Sequence, residues 1–249
     1  MSLYVIAHKE FNRPEQEGYK IVQVGAYRGH TMENALYDDE GENISEKNSS
    51  YCELTGIYWV WKNCRDKYKG IVHYRRYFCR SIRKKNILTK KDVETKLKNY
   101  DMIVPFHRNL KMPVRKEYCV VSGFEKDLKT VGDVIEEICP EYKPIYDWVL
   151  NQKKIYFSNM FIASEKVFDD YCNWLFPILF EVEKRVDLAG YNDYQKRIFG
   201  FISERLLIVY IKYNKLKVFE VGVINTEETL PFPRNFLSPL KRAITFLKK

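Results

Sequence analysis

The chain has 249 residues, 45% of them hydrophobic and 15% aromatic, which is core material for one large α/β domain or two small ones and too much for intrinsic disorder. Lys and Arg (42) outnumber Asp and Glu (33), for a net charge of +9 and a pI near 9.1; that excess points to acidic partners such as nucleotide phosphates, nucleic acid or an anionic membrane surface. No stretch approaches the run of about 20 apolar residues that a membrane span needs, and MSLYVIAHKEF is too short and too soon charged for a signal peptide, so no leader is expected.

In chain order, Leu3–Ala7 reads as a first buried strand with His8 at its carboxyl end, and Ile21–Ala26 as a second, ended by Gly25. A long acidic loop follows, YDDEGENISEKNSS. Leu54, Ile57, Tyr58 and Trp61 then recur at i, i+3, i+4 and i+7, one face of a helix. Ser50 with Glu53 three residues later predicts a capping box at its start. Gly70 breaks the polar run behind that helix, and Ile71 and Val72 open a strand that ends at His73, Tyr74, Arg75 and Arg76. A basic loop (80–85), a surface helix through Leu88, Val93, Leu97 and Tyr100, and a strand at Met102–Val104 come next. Phe106–Val121 reads as a long loop over the mouth of the sheet. Leu128–Ile138 and Pro144–Leu150 read as helices, and Ile155–Ala163 as a strand with polar Ser158 and Asn159 in its middle. Ser164 is placed to cap a helix containing Pro177, which is expected to kink it. A second long helix spans Tyr194–Tyr213, Val218–Ile224 is the last strand, and PRNFLSPLKRAITFLKK forms a basic amphipathic end. Strands alternating with helices predict an α/β fold, a single domain with a mostly parallel central sheet flanked by helices (residues 1–230) and a C-terminal appendage (231–249).

The six cysteines (52, 64, 79, 119, 139 and 172) include no CxxC pair and read as reduced thiols of a cytosolic protein rather than a zinc site. P-loop, GxGxxG, GxSxG and HExxH patterns are absent, as is an Asp-x-Asp after any predicted strand. The acidic run Asp38, Asp39, Glu40 reads as a solvated turn. What remains is His73, Arg75 and Arg76 at the carboxyl end of a strand, where open α/β sheets bind ligands and where guanidiniums suit a diphosphate. A solvated strand end is the plainer alternative. Asp193, Arg197, Gly200 and Glu204 share one helical face by spacing. Either carboxylate could be a general base for an attacking hydroxyl, or Asp193 and Arg197 could be a surface pair worth about 0.3–0.5 kcal/mol. The apolar neighbours Ile202, Leu206, Leu207 and Val209 argue that Glu204 and Arg205 lie deeper than a surface. Glu53 reads first as a cap. Asn159 with Met160 could be a satisfied core pair or reach a sugar hydroxyl. The C-terminal basic segment could lie on an anionic membrane or pack as a last helix.

The runs GENISEKNSSYCELTGIYWVWKN, KGIVHYRRYF, SNMFIASEKVFDDYCNWLF and YQKRIFGFISERL, in that order, resemble a bacterial polysaccharide-biosynthesis family of capsule and O-antigen gene clusters, long filed as a domain of unknown function. The resemblance runs to about Val223. It implies a GT-A-like glycosyltransferase, some relatives resembling enzymes that transfer galactofuranose from UDP-galactofuranose with a β linkage. The motif positions carried here are Glu53, Trp59, Trp61, Lys62, Asn63, His73, Arg75, Arg76, Phe78, Asn159, Met160, Trp174, Arg197, Gly200, Glu204 and Arg205. The stretch YCVVSGFEKDL departs from relatives that have histidine there.

The leading reading joins that resemblance to the residue patterns: Glu204 or Asp193 is the base, and His73, Arg75 and Arg76 hold the donor diphosphate in place of a metal, so no cofactor is expected. His8, Gly25, Asn34 and Asn48 contact the nucleotide, and Asn159, Met160, His107 and Arg197 the sugar or acceptor. The expected partners are a nucleotide-sugar donor, a lipid-linked glycan acceptor and, through the C-terminal segment, the inner face of the cell membrane, with no nucleic acid. The competing readings are a non-catalytic polyanion or nucleic-acid binder and an inactive scaffold of a glycan assembly complex.

Overall fold

The computed structural model describes residues 1–82 and 86–227; the amphipathic segment 231–249 and the boundary drawn at 230 lie outside them. Among the described residues there are eleven strands: β1 (Ser2–Ala7), β2 (Tyr19–Gln23), β3 (Leu36–Tyr37), β4 (Tyr68–His73), β5 (Arg76–Ser81), β6 (Asn86–Ile87), β7 (Met102–Pro105), β8 (Arg108–Asn109), β9 (Lys154–Ile155), β10 (Phe161–Ser164) and β11 (Val218–Asn225). The helices are α1 (Asn48–Tyr51), α2 (Leu54–Asn63), α3 (Lys90–Lys96), α4 (Val114–Val121), α5 (Glu125–Ile138), α6 (Lys143–Asn151), α7 (Glu165–Arg185) and α8 (Ile198–Tyr213). None is long and apolar enough to cross a membrane.

Nine strands form one sheet in the order β3-β2-β1-β4-β10-β7-β11-β5-β6, and β8 pairs with β9 apart from it. The sheet is mixed, which corrects the expectation of a mostly parallel one. β3, β2, β1 and β4 are parallel, as are β7 and β11. β10 runs against both of its neighbours, and β5 runs against β11 and β6. The cause is local. Tyr74 and Arg75 form a two-residue turn that sends β5 straight back, with His73 opposite Arg76. β4 and β5 then splay apart, and β10, β7 and β11 fill the wedge between them.

Strand residues alternate between two cores, as the pleat requires. Tyr4, Ile6, Ile71, Met102, Val104 and Phe161 face the large core with α2 and α5–α8; Leu3, Val5, Val72, Ile103 and Ile162 face a smaller one that includes Val93 of α3. Gly70 is buried inside β4 rather than ending a polar run. A Cβ there would lie 2.3 Å from Leu3 Cδ2 and 2.9 Å from Ile162 Cγ1, so neighbouring strands leave room only for hydrogen.

Three further expectations are corrected. Phe106–Val121 is not all loop, because α4 occupies its second half. Ile155–Ala163 is not one strand: Ser158 (φ 82) and Asn159 (φ 47) are left-handed and break it between β9 and β10. The Ser50–Glu53 capping box does not form. Cys52 (φ 54) breaks the chain between α1 and α2, and the Ser50 hydroxyl turns back to the Lys47 carbonyl. Ser164 does cap α7, accepting from Val167 N–H.

Candidate active site at the carboxyl edge of the sheet

The carboxyl ends of β1, β4 and β7 and the starts of β5 and β10 lie on one edge, because β10 and β5 run antiparallel to their neighbours. This is the edge where open sheets bind ligands. The β4–β5 turn is pinned there from both sides: Tyr74 N–H donates to Ile6 of β1, and Thr226 N–H, just past β11, donates to Arg75.

Two carboxylates converge on this edge. Glu204, on the first half of α8, accepts from Ser158 N–H at Oε1 (2.6 Å) and from Arg205 Nη1 at Oε2 (2.9 Å). Burial, with the nearby charges of Glu53 and Glu117, pushes its carboxyl up to about 7 against the opposing pull of Arg205 and Ser158. Glu53, in the break between α1 and α2, accepts from the Asn159 amide at 2.8 Å. Asn159 is almost wholly buried, and its amide also donates to the Gly200 carbonyl and accepts from Ser203 Oγ. Three non-glycine residues with positive φ (Cys52, Ser158 and Asn159) thus aim the groups that hold the two acids, and strain of this kind persists where surrounding structure enforces it. Gly200 lies beneath: a Cβ there would be 3.9 Å from Glu53 Oε2.

The cations divide into two groups. Arg76 is partly buried and feels Arg75 as a like charge and Glu53 and Glu204 as opposite ones; burial and Arg75 lower its proton affinity. Its side chain makes no hydrogen bond or ion pair among the described residues. His73 belongs with it, but not as a cation. Burial holds its imidazole down to about 4, so it is neutral near pH 7, and its buried Nε2 has no hydrogen-bond partner among the described residues. Within the trio expected to hold the diphosphate, His73 therefore offers a hydrogen bond rather than a charge. Arg75 turns outward instead, to Glu227 (3.0 Å), which also takes Lys9 (3.5 Å). Both cations lie against the Tyr74 ring, which His8 meets edge-on at 5.1 Å. Desolvation and the charges of Lys9, Arg75 and Arg197 lower the His8 pKa. Arg197, at the end of the turn before α8, donates from Nε to Cys52 Sγ at 3.2 Å.

The other expected site residues are more scattered. Asp193 is 99% exposed, precedes α8 rather than lying on it, and pairs with Lys196 (3.1 Å) instead of Arg197. Met160 is buried in the smaller core, where its side chain touches protein. His107 is engaged by Glu220 (2.9 Å), which also accepts from Tyr156. Gly25 has φ 67, and a Cβ there would be 2.8 Å from Asn48 Oδ1, so the β2 turn and α1 meet closely. Asn48 itself donates to Cys52 and Thr55, a structural use. Asn34 is exposed and left-handed, with no side-chain hydrogen bond among the described residues. Asp38 is not a solvated turn residue. It is fully buried and accepts from Gly25 N–H, Ala26 N–H and Ser45 Oγ.

In the sequence Glu53 reads first as a cap although it is one of the motif positions, and no motif marks Lys9 or Glu117. Glu53 was hidden because a helix-start pattern and a chain break look alike when the positive φ falls on cysteine. Lys9 adjoins His8 just past β1, and that strand-end position was its one available signal.

The chain belongs to the family described as Domain of unknown function (DUF4422), whose profile matches residues 2–215. Among curated proteins none matches it. It is similar to a solved structure described as the WbbM bifunctional glycosyltransferase in apo form, with a TM-score of 0.83 and 27% identity over 91% of this chain; it spans 45% of that longer chain.

Proposed function

We propose that the chain is an inverting glycosyltransferase that takes a sugar from a UDP-linked donor, galactofuranose as the leading choice, and forms a β linkage on a lipid-linked capsular or O-antigen glycan at the cytoplasmic face of the inner membrane. One observation carries the reading: a carboxyl poised near neutrality, Glu204, lies beside a second acid, Glu53, with the uncommitted Arg76 close to both, on the ligand-binding edge of the sheet. The likeness to a bifunctional glycosyltransferase, over about half of that protein, supports the same class.

In this reading an acceptor hydroxyl attacks the anomeric carbon while Glu204 takes its proton. The bond from that carbon to the diphosphate oxygen breaks, and the electron pair leaves with the diphosphate. Developing negative charge is met by Arg76, with Arg75 and Lys9 at the outer side, and His73 Nε2 is left to hydrogen-bond the ligand. Glu53, fixed by Asn159, suits sugar hydroxyls, and Arg197 flanks them. Because basic residues rather than an Asp-x-Asp follow β4, transfer is proposed to need no divalent metal.

A thermal-shift screen of nucleotide-sugars, with and without EDTA, tests donor class and metal need together; the expected result is stabilisation by UDP-sugars that survives EDTA. Turnover of a labelled donor onto acceptor glycan, lost in Glu204→Gln, tests the reaction. Stabilisation without turnover under any acceptor condition would overturn it in favour of a binding protein.

A further inference from the structure

Glu204 is not held alone. Its Oε2 shares Arg205 with a second carboxylate from another helix: Arg205 Nη2 donates to Glu117 Oε2 of α4 at 2.5 Å, while Nη1 donates to Glu204 (2.9 Å) and to the Phe201 carbonyl (2.8 Å). The guanidinium is 1% exposed, and both carboxylates are 13% exposed. It lies over the Tyr118 ring at 5.1 Å and near the Phe157 ring at 5.9 Å, so its plane is set by packing as well as by hydrogen bonds.

We infer that Glu117 is a positioning residue for Glu204, acting through the shared Arg205 to fix the orientation of that carboxylate and to keep it from being fully neutralised. The inference rests on the reading of Glu204 as the base. Two carboxylates and one guanidinium leave a negative charge uncompensated in a nearly dry place, and a proton is the available remedy. If Arg205 answered to Glu204 alone, the pair would be neutral and Glu204 would stay ionised and weakly basic. By splitting the guanidinium, Glu117 leaves Glu204 able to take a proton and give it up near neutral pH, which is where a base works best.

The groups facing Glu204 are few and come from every element around it. Arg205 shares α8, and Glu117 comes from α4. Ser158 N–H lies ahead of β10, Glu53 in the α1–α2 break and Arg76 on β5, with Tyr194 in the turn before α8. Of these, Glu117 makes its side-chain hydrogen bond to Arg205, and its charge is also felt by Glu204 and Tyr194, so a role in positioning can be separated from one in binding.

The test reads Glu204 directly. Its protonated carboxyl stretch is followed by infrared difference spectroscopy across pH, assigned by its loss in Glu204→Gln. The expected result is that Glu117→Gln, whose carbonyl can still accept from Arg205, moves the Glu204 midpoint to lower pH by roughly one unit, the size of shift one nearby charge produces. The acid limb of kcat/KM for sugar transfer moves with it. Glu117→Asp keeps the charge but draws it back by one methylene, and moves the midpoint the same way by less; it also serves if the glutamine variant does not fold. An unchanged midpoint in a folded variant, with only a lower Tm, overturns the inference and leaves Glu117 a packing residue. A midpoint that moves while the rate profile stays fixed supports the inference and overturns Glu204 as the base.

Discussion

The Asn159 amide donates to Glu53 Oε1 at 2.8 Å and to the Gly200 carbonyl at 3.0 Å, tying the break between α1 and α2 to the start of α8. Asn159 can do this because its backbone is left-handed, a conformation asparagine tolerates better than most residues. Asn159→Ala removes the donor from a half-buried acid and leaves a gap at a buried position, and should destabilise the fold by about 1–3 kcal/mol. It should also lower kcat, because Glu53 loses its fixed direction. Urea unfolding and steady-state transfer measure the two effects. A variant that loses stability and keeps full kcat would confine Asn159 to a structural part.

The two acids offered by sequence differ in surroundings, so their amides should differ in effect. Glu204→Gln removes a general base and should cost on the order of 10²–10⁴ in kcat. Asp193→Asn changes a solvated carboxylate paired only with Lys196, and transfer should stay near wild type. Equal losses in both, measured with a labelled donor, would contradict the assignment.

The pH dependence follows from Glu204. A base must be ionised to act, so kcat/KM should rise with pH through about 7. Stability carries the opposite sign. A carboxyl raised in the folded state binds its proton more tightly there than in the unfolded chain, so its contribution is complete below the ordinary carboxyl range and is lost as pH rises through about 7. His73 is lowered to about 4; its contribution is present above the ordinary histidine range and is lost as pH falls through 4. Thermal melts of Glu204→Gln should therefore lose this dependence between pH 5 and 8, and a wild-type melt unchanged over that range would contradict it.

Arg76 faces Glu53 and Glu204 without a hydrogen bond of its own among the described residues. Arg76→Ala should raise the KM for donor at least tenfold, from lost contact with the diphosphate at about 1.4 kcal/mol per factor of ten. It should also push the acid limb of the rate profile to higher pH, because Glu204 loses a nearby positive charge. Arg76→Lys should recover the charge effect better than the affinity, since lysine cannot bind phosphate oxygens as a fork. Activity in EDTA should equal that without it. Loss that manganese reverses would end the metal-free proposal.

Gly70→Ala places a methyl 2.3 Å from Leu3 Cδ2 within three packed strands. The cost should be about 1–3 kcal/mol of overpacking, read as a lower urea midpoint at unchanged m-value.

Much of the element pattern was legible because apolar periodicity controls it. The stripe in α7, the start at Ser164 and the first strand all follow from side chains that must be buried. The sheet's mixed direction was not legible, because a tight Tyr74–Arg75 turn looks like the end of one strand when Arg76 and Tyr77 continue its character. At the site, the basic cluster after β4 could be placed from the strand-end rule. The division of labour within it could not: whether an imidazole is charged depends on burial, and on opposing contacts such as the Ser158 backbone and Glu53, from residues that the strand-end rule does not place. Asp193 and Glu204 likewise have matching helical spacing on paper, but α8 begins only at Ile198.

The forked β4–β5 hairpin has a consequence for how this protein is made. β10 must enter between β4 and β7, and β11 between β7 and β5, yet both are synthesised long after the strands they separate. Until then β4, β7 and β5 present open edges, the pairings still owed are long-range, and folding is correspondingly slow and exposed to mispairing. The family profile stops at residue 215, ahead of β11. A fragment cut at that boundary would keep both acids and Arg76 but lack the strand that joins β7 to β5, so the nascent chain can close this sheet only once β11 has left the ribosome.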